Sequence, residues 1–166
     1  MAIEYLKKAQ HKSTDSAAEV QEKVRAILAE IEAGGDAAAL RYAAQFDRYE
    51  GNIRLTRDEI DAAAAKVPQR LKDDIRFAWD NIRRFAEAQK ASIGDVEIEV
   101  RPGLIAGQKA IPCRAAGCYV PGGRYSHIAS ALMTVTTARA AGVGTVTACT
   151  PPGPDDPHPA ILHALH

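Results

Sequence analysis

The side chains able to do chemistry in this 166-residue chain are few and unevenly placed. Cys113, Cys118 and Cys149 form no C-x-x-C pair, and each stands among small or apolar neighbours. An odd number at that spacing argues against a disulfide framework or a zinc cluster. It favours small core residues in a reducing compartment. Among the histidines, His158, His163 and His166 gather near the end, and the last two, three apart, suit one helix face. Imidazole is a good zinc ligand, but no carboxylate or cysteine is spaced with them to complete a set, so they read as the exposed face of a helix. His11 reads as solvated. No nucleophile is spaced with a base, and no catalytic or metal-binding residue is assigned.

The richest segment runs from Ala115 to Cys149. The apolar stretch Ala115–Val120 leads directly into Pro121-Gly122-Gly123. A helix is then expected to begin between Ser126 and Ser130, presenting Ala131, Leu132, Val135 and Ala138 on one side, with Gly142 as its C-cap. Val143–Cys149 is a second apolar strand. Strand, helix and strand in this length make a βαβ crossover with parallel strands, and their lack of alternation predicts cover on both faces. Ligands of such units sit beyond the carboxyl ends of the strands, where Pro121-Gly122-Gly123 lies. Two glycines permit close backbone approach, and N–H groups at a helix start favour anions. There is no G-x-G-x-x-G fingerprint and no P-loop lysine. A strand-to-helix turn also needs glycine for its own geometry, so the pattern leaves both readings open.

The elements that must position this turn follow from the uneven charge. Residues 1–101 hold 17 of the 21 basic and 19 of the 21 acidic side chains; residues 102–166 hold 8 of the 12 glycines and 8 of the 9 prolines. The first part reads as amphipathic helices and the second as buried strands and tight turns, the texture of an α/β fold. The expected domains are a helical leader over 1–93 and the first part of a Rossmann-like α/β nucleotide-binding domain over 94–166. Ser16-Ala-Ala-Glu19 has the capping-box pattern ahead of Val20, Val24, Ile27, Leu28 and Ile31, and Gly34-Gly35 ends that run. Asp36 can cap a second helix to about Phe46. Thr56-Arg-Asp-Glu59 is another capping box, with Leu55 and Ile60 placed as a hydrophobic staple. The longest helix should begin near Pro68 and bury Leu71, Ile75, Ala78, Trp79, Ile82 and Phe85, leaving a charged outer face. Val96, Ile98 and Val100 alternate with charged residues as a half-buried strand, Pro102-Gly103 turns, and Leu104–Ile111 returns.

Composition excludes several function classes. Basic and acidic side chains balance at 21 each, which argues against a nucleic-acid binder or a polybasic membrane module. No run approaches the roughly 18 apolar residues of a membrane span. The opening MAIEYLKKAQHKS carries no apolar run suited to a signal peptide, so a cytoplasmic protein is expected. With 46% hydrophobic and 25% charged residues, the chain has the make-up of a globular protein.

The runs Gly117-Cys-Tyr-Val-Pro-Gly-Gly123, Ala129-Ser-Ala-Leu-Met133, Ala138-Arg-Ala-Ala-Gly-Val143 and Cys149-Thr-Pro-Pro152 resemble the histidinol dehydrogenase family. Phe46-Asp47 and the helix ending Phe85-Ala-Glu-Ala-Gln89 fit its N-terminal region in order and spacing. The resemblance implies tandem Rossmann-like domains in an intertwined homodimer. It also implies a zinc-dependent, NAD-linked oxidation of a primary alcohol to a carboxylate in two hydride transfers. Family members are much longer, so the resemblance places the zinc ligands and the Glu-His acid–base pair beyond His166. It makes Tyr119 the NAD contact, with Gly122 and Gly123 beside it. After the glycines this chain departs from the histidinol enzymes with Arg124-Tyr125-Ser126-His127, which is similar to the sulfopropanediol dehydrogenase branch. The substrate then implied is 2,3-dihydroxypropane-1-sulfonate, oxidised to sulfolactate, with Arg124 and His127 as substrate contacts. A guanidinium fork suits an oxyanion, whereas the cationic amine of histidinol would be repelled. The alternatives are oxidation of L-histidinol to L-histidine and a non-catalytic interaction module that binds a partner through its helices.

Overall fold

The computed structural model describes residues 14–122, 126–152 and 158–166, with side chains from residue 17 onward. The chain divides into two compact units, Met1–Ile53 and Arg54–His166.

In the first unit, α1 (Thr14–Asp47) is broken at Gly35, where φ 56° and ψ −141° leave the helical region. Glycine adopts that conformation at little cost, so the helix breaks where Gly34-Gly35 predicts and resumes from Asp36. The second arm folds back on the first. Ala38 is buried, a Cβ on Gly34 would lie 2.9 Å from that of Ala38, and Arg41 bonds Glu30. The helix starts at Thr14, two residues ahead of Ser16, so Ser16 lies within it instead of capping it. Along the expected apolar stripe Ile27 and Ile31 are half-buried, but Val20, Val24 and Leu28 are exposed.

The second unit runs α2 (Arg57–Ala65), α3 (Gln69–Ala91), β1 (Val96–Arg101), β2 (Leu104–Gln108), β3 (Ala115–Tyr119), α4 (Ile128–Ala141), β4 (Thr145–Cys149) and α5 (Pro159–Leu165). The capping box at Thr56 forms as expected. The Glu59 N–H donates to Thr56 Oγ1 at 3.3 Å and the Thr56 N–H to Glu59 Oε2 at 2.7 Å. Pro68 occupies the N-cap of α3, the longest unbroken helix. Ile75 and Ala86 are buried, and Leu71, Ala78, Trp79 and Ile82 are half-buried. Phe85, expected inside, is 68% exposed. At 3.6 residues per turn it projects roughly 90° off the centre of the stripe of Ile75, Trp79, Ile82 and Ala86.

Helix α4 is the hub, packing on α3, α5, β3 and β4. Leu132 joins Val67, Ile75 and Ala160 in one core cluster; Ala131 joins Val120 and Ile161 in another. Ile128 and Ala164 touch both clusters. Strands β3 and β4 pair in parallel, from Ala115↔Thr145 to Tyr119↔Cys149, and α4 lies between them in sequence, so the predicted βαβ unit forms. Its cover differs from the expectation. Ala116, Cys118, Val146 and Ala148 are buried or half-buried, whereas Ala115, Gly117, Tyr119, Thr145, Thr147 and Cys149 are exposed. One helix shields one face, and small or apolar residues on the other do not reveal that it is bare. Only Cys118 is a core cysteine; Cys149 is exposed on that bare face, and Cys113 is exposed in the segment ahead of β3.

Strands β1 and β2 form the predicted antiparallel hairpin around Gly103, which takes φ 79°. Its return strand ends at Gln108, short of Ile111. Val96, Ile98 and Val100 are exposed, not half-buried, because two strands alone bury neither face. No helix among the described residues is long and apolar enough to cross a membrane.

Candidate functional site

The carboxyl edge of the β3–β4 pair is built from the core outward. Val120 is fully buried against Ala131 and Ile161, and its N–H donates to the Cys149 carbonyl at 2.8 Å, extending the pairing one residue past β3. This fixes the exit of the chain from the sheet. Tyr119, one residue earlier, points to the opposite face and stays 61% exposed. Pro121 and Gly122 follow, both half-buried. Gly122 has no positive φ, but a Cβ built on it would stand 2.7 Å from Cγ of Pro151. The turn after β3 and the turn after β4 are therefore in van der Waals contact at this glycine.

His127 occupies the N-cap of α4 with an exposed side chain that makes no capping bond, while its carbonyl accepts from the Ala131 N–H at 3.2 Å. The first turn of α4 carries no acidic residue, and no Asp or Glu occurs anywhere between Glu99 and Asp155. The segment that leads into α4 thus brings no carboxylate of its own to the positive end of the helix, which suits an anion there. Gly123 and Arg124 lie outside the described residues. Tyr119, Gly122 and His127 belong to the stretch of sequence that joins β3 to α4, with the tyrosine ring and the histidine both exposed. Pro151 is a residue the sequence reading missed. Its signal was its position two residues past β4, matching Pro121 two residues past β3.

Of the terminal histidines, His158 and His166 are exposed as expected, whereas His163 is not. His158 is the N-cap of α5, its Nδ1 accepting from the Ala160 N–H at 3.3 Å. His163 is half-buried, its Nδ1 buried without a hydrogen-bond partner. Burial, then the Lys72 ammonium and His166, hold its imidazole below the usual range. His166 meets Asp61 at 3.1 Å and also contacts Arg57, tying α5 to α2. Among the described residues no group of three or more His, Cys, Asp or Glu is placed to hold a metal ion. The described residues therefore do not fit a zinc site.

A sequence model described as histidinol dehydrogenase matches residues 10–166. Sulfopropanediol 3-dehydrogenase of Ruegeria pomeroyi is 67% identical over 167 residues, covering 100% of this chain and 38% of that protein. Histidinol dehydrogenase of Methanosarcina barkeri is 40% identical over 148 residues, covering 88% of this chain and 34% of that protein. The crystal structure of histidinol dehydrogenase from Elizabethkingia anophelis superposes with a TM-score of 0.80 at 31% identity, over 97% of this chain and 35% of that one. The chain spans a little over a third of the length of these relatives.

Proposed function

This chain belongs to the histidinol dehydrogenase family, and we propose that it supplies the cofactor-facing edge and part of the substrate pocket of an NAD-linked, zinc-dependent alcohol dehydrogenase. The reading places residues 94–166 at the start of the nucleotide-binding domain, after a helical leader, in a cytoplasmic homodimer. Its substrate is 2,3-dihydroxypropane-1-sulfonate, whose primary alcohol becomes the carboxylate of sulfolactate. NAD supplies the hydride acceptor, two being consumed per alcohol, while water provides the second carboxylate oxygen. Tyr119 gives the cofactor a ring to pack on, and the backbone at Gly122 and Gly123 lines its approach. Arg124 offers a planar fork to the sulfonate, and His127 a second donor beside the start of α4. No step is assigned to zinc, for which the described residues provide no ligand set.

The observation that carries this reading is the exposed Tyr119 ring at the carboxyl end of a parallel strand, ahead of a helix whose first turn carries no acidic residue. The substrate assignment is tested with Arg124→Leu in the intact enzyme. The expected result is a KM for the sulfonated diol at least tenfold higher, with the KM for NAD unchanged. Equal efficiency of the parent enzyme on L-histidinol would favour the second reading, which the similarity to histidinol dehydrogenases supports.

A further inference from the structure

We propose that Pro151 is a positioning residue for the nucleotide-binding turn, acting through Gly122; the inference rests on the reading that this turn meets NAD. A Cβ added at Gly122 would lie 2.7 Å from Cγ, 3.3 Å from Cδ and 3.6 Å from Cβ of Pro151. The Cγ corner of the proline ring thus leads into the space a side chain at residue 122 would take, closer than a Cβ there could sit unless something shifted. Gly122 is not required by its backbone conformation, since the positive-φ glycines of the described residues are Gly35, Gly103 and Gly142. What residue 122 needs is space, and Pro151 is what fills it.

Proline suits that task. Its ring fixes φ and has no rotamer by which to swing aside, and it biases the preceding Thr150 toward extended backbone. The base of the contact is equally fixed, because Val120 is fully buried and bonded to the Cys149 carbonyl at 2.8 Å. Past that bond the segments that follow β3 and β4 meet again at Gly122 and Pro151. The residues that follow β4 thereby set where Gly122 sits at the carboxyl edge, three residues past Tyr119.

This assigns the glycine a second role beside the ligand-facing one, and the two roles separate under second-site substitution. In the intact dehydrogenase, Gly122→Ala should raise the KM for NAD about tenfold while kcat stays within about twofold. Adding Pro151→Ala opens the space and should bring the KM back to within about twofold of the parent. The melting midpoint of the 166-residue chain should follow the same pattern, lowered by Gly122→Ala and recovered in the double variant. A KM unmoved by Gly122→Ala, or a raised KM that Pro151→Ala does not recover, would overturn the proposal; the latter result would assign the glycine to the ligand itself. A parent enzyme that reduces no NAD would contradict the proposed function instead. The contact is then decided by the melting midpoints alone, recovery supporting it and failure to recover overturning it.

Discussion

Tyr119 and Cys149 stand opposite each other in register on adjacent parallel strands, with both side chains on the sheet face that α4 leaves open. Gly117 lies two residues before Tyr119 on that face, and a Cβ added there meets nothing within 4 Å. The exposure of the tyrosine ring is thus a property of the whole face and not of a loose loop. Directly behind it, Val120 and Cys118 anchor the strand in the core. A fixed backbone that presents an open ring is the arrangement a stacked ligand exploits.

The core is expected to respond to substitution according to burial and not to residue size. Leu132→Ala, at a side chain 2% exposed between α3 and α5, should cost about 3 kcal/mol of stability. Phe85→Ser should change it by less than about 0.5 kcal/mol in this chain, despite the larger apolar group removed. Chemical denaturation of the two variants checks the ranking, and a reversed order would place Phe85 in a packed interface.

Acid should weaken α5 through His163. Its folded-state pKa is depressed, first by burial and then by Lys72 and His166, the latter in turn facing Asp61 and Arg57. Below an unfolded pKa of about 6.5 the unfolded chain therefore binds more protons than the folded one. The stability present above that pKa is lost as pH falls toward the folded value. Melting midpoints measured downward from about pH 6.5 should decline, and His163→Leu should flatten the decline. An unaltered pH slope in the variant would locate the proton uptake at another group.

The hairpin should make the isolated chain associate. Val96, Ile98, Val100, Leu104 and Ile105 are all exposed on two strands, a combination of apolar surface and open edges that recruits other chains. Sedimentation velocity of the 166-residue chain should show oligomers that diminish with Ile98→Lys. A monodisperse monomer for the parent chain would contradict this.

Local signals were legible in the residues wherever the physics is local. Thr56 and Glu59 cap α2 because a hydroxyl and a carboxylate three residues apart can reach only those N–H groups. Gly35 breaks α1 because its positive φ suits glycine. The crossover from β3 through α4 to β4 was legible from two short apolar runs around a small-residue helix. What depends on cover was not. Alternation at Val96, Ile98 and Val100 shows which face of the hairpin is apolar, yet no described element lies over it. His163 and His166 are spaced for one helix face, but the half-burial of His163 comes from α2 and α3 packing on α5, which that spacing does not encode. The Gly122–Pro151 contact joins residues far apart in sequence and follows only from the parallel register of the strands.

The central claim, that this chain presents a cofactor-binding edge with Tyr119 as its exposed ring, is tested most directly by the KM for NAD of the intact dehydrogenase before and after Tyr119→Ala. Because the ring is exposed, the variant should fold with an unchanged melting midpoint. Its KM for NAD should rise about tenfold, equivalent to about 1.4 kcal/mol of lost binding. An unchanged KM in a folded variant would contradict the account and leave Tyr119 as a residue of a sheet face that other parts of the protein cover.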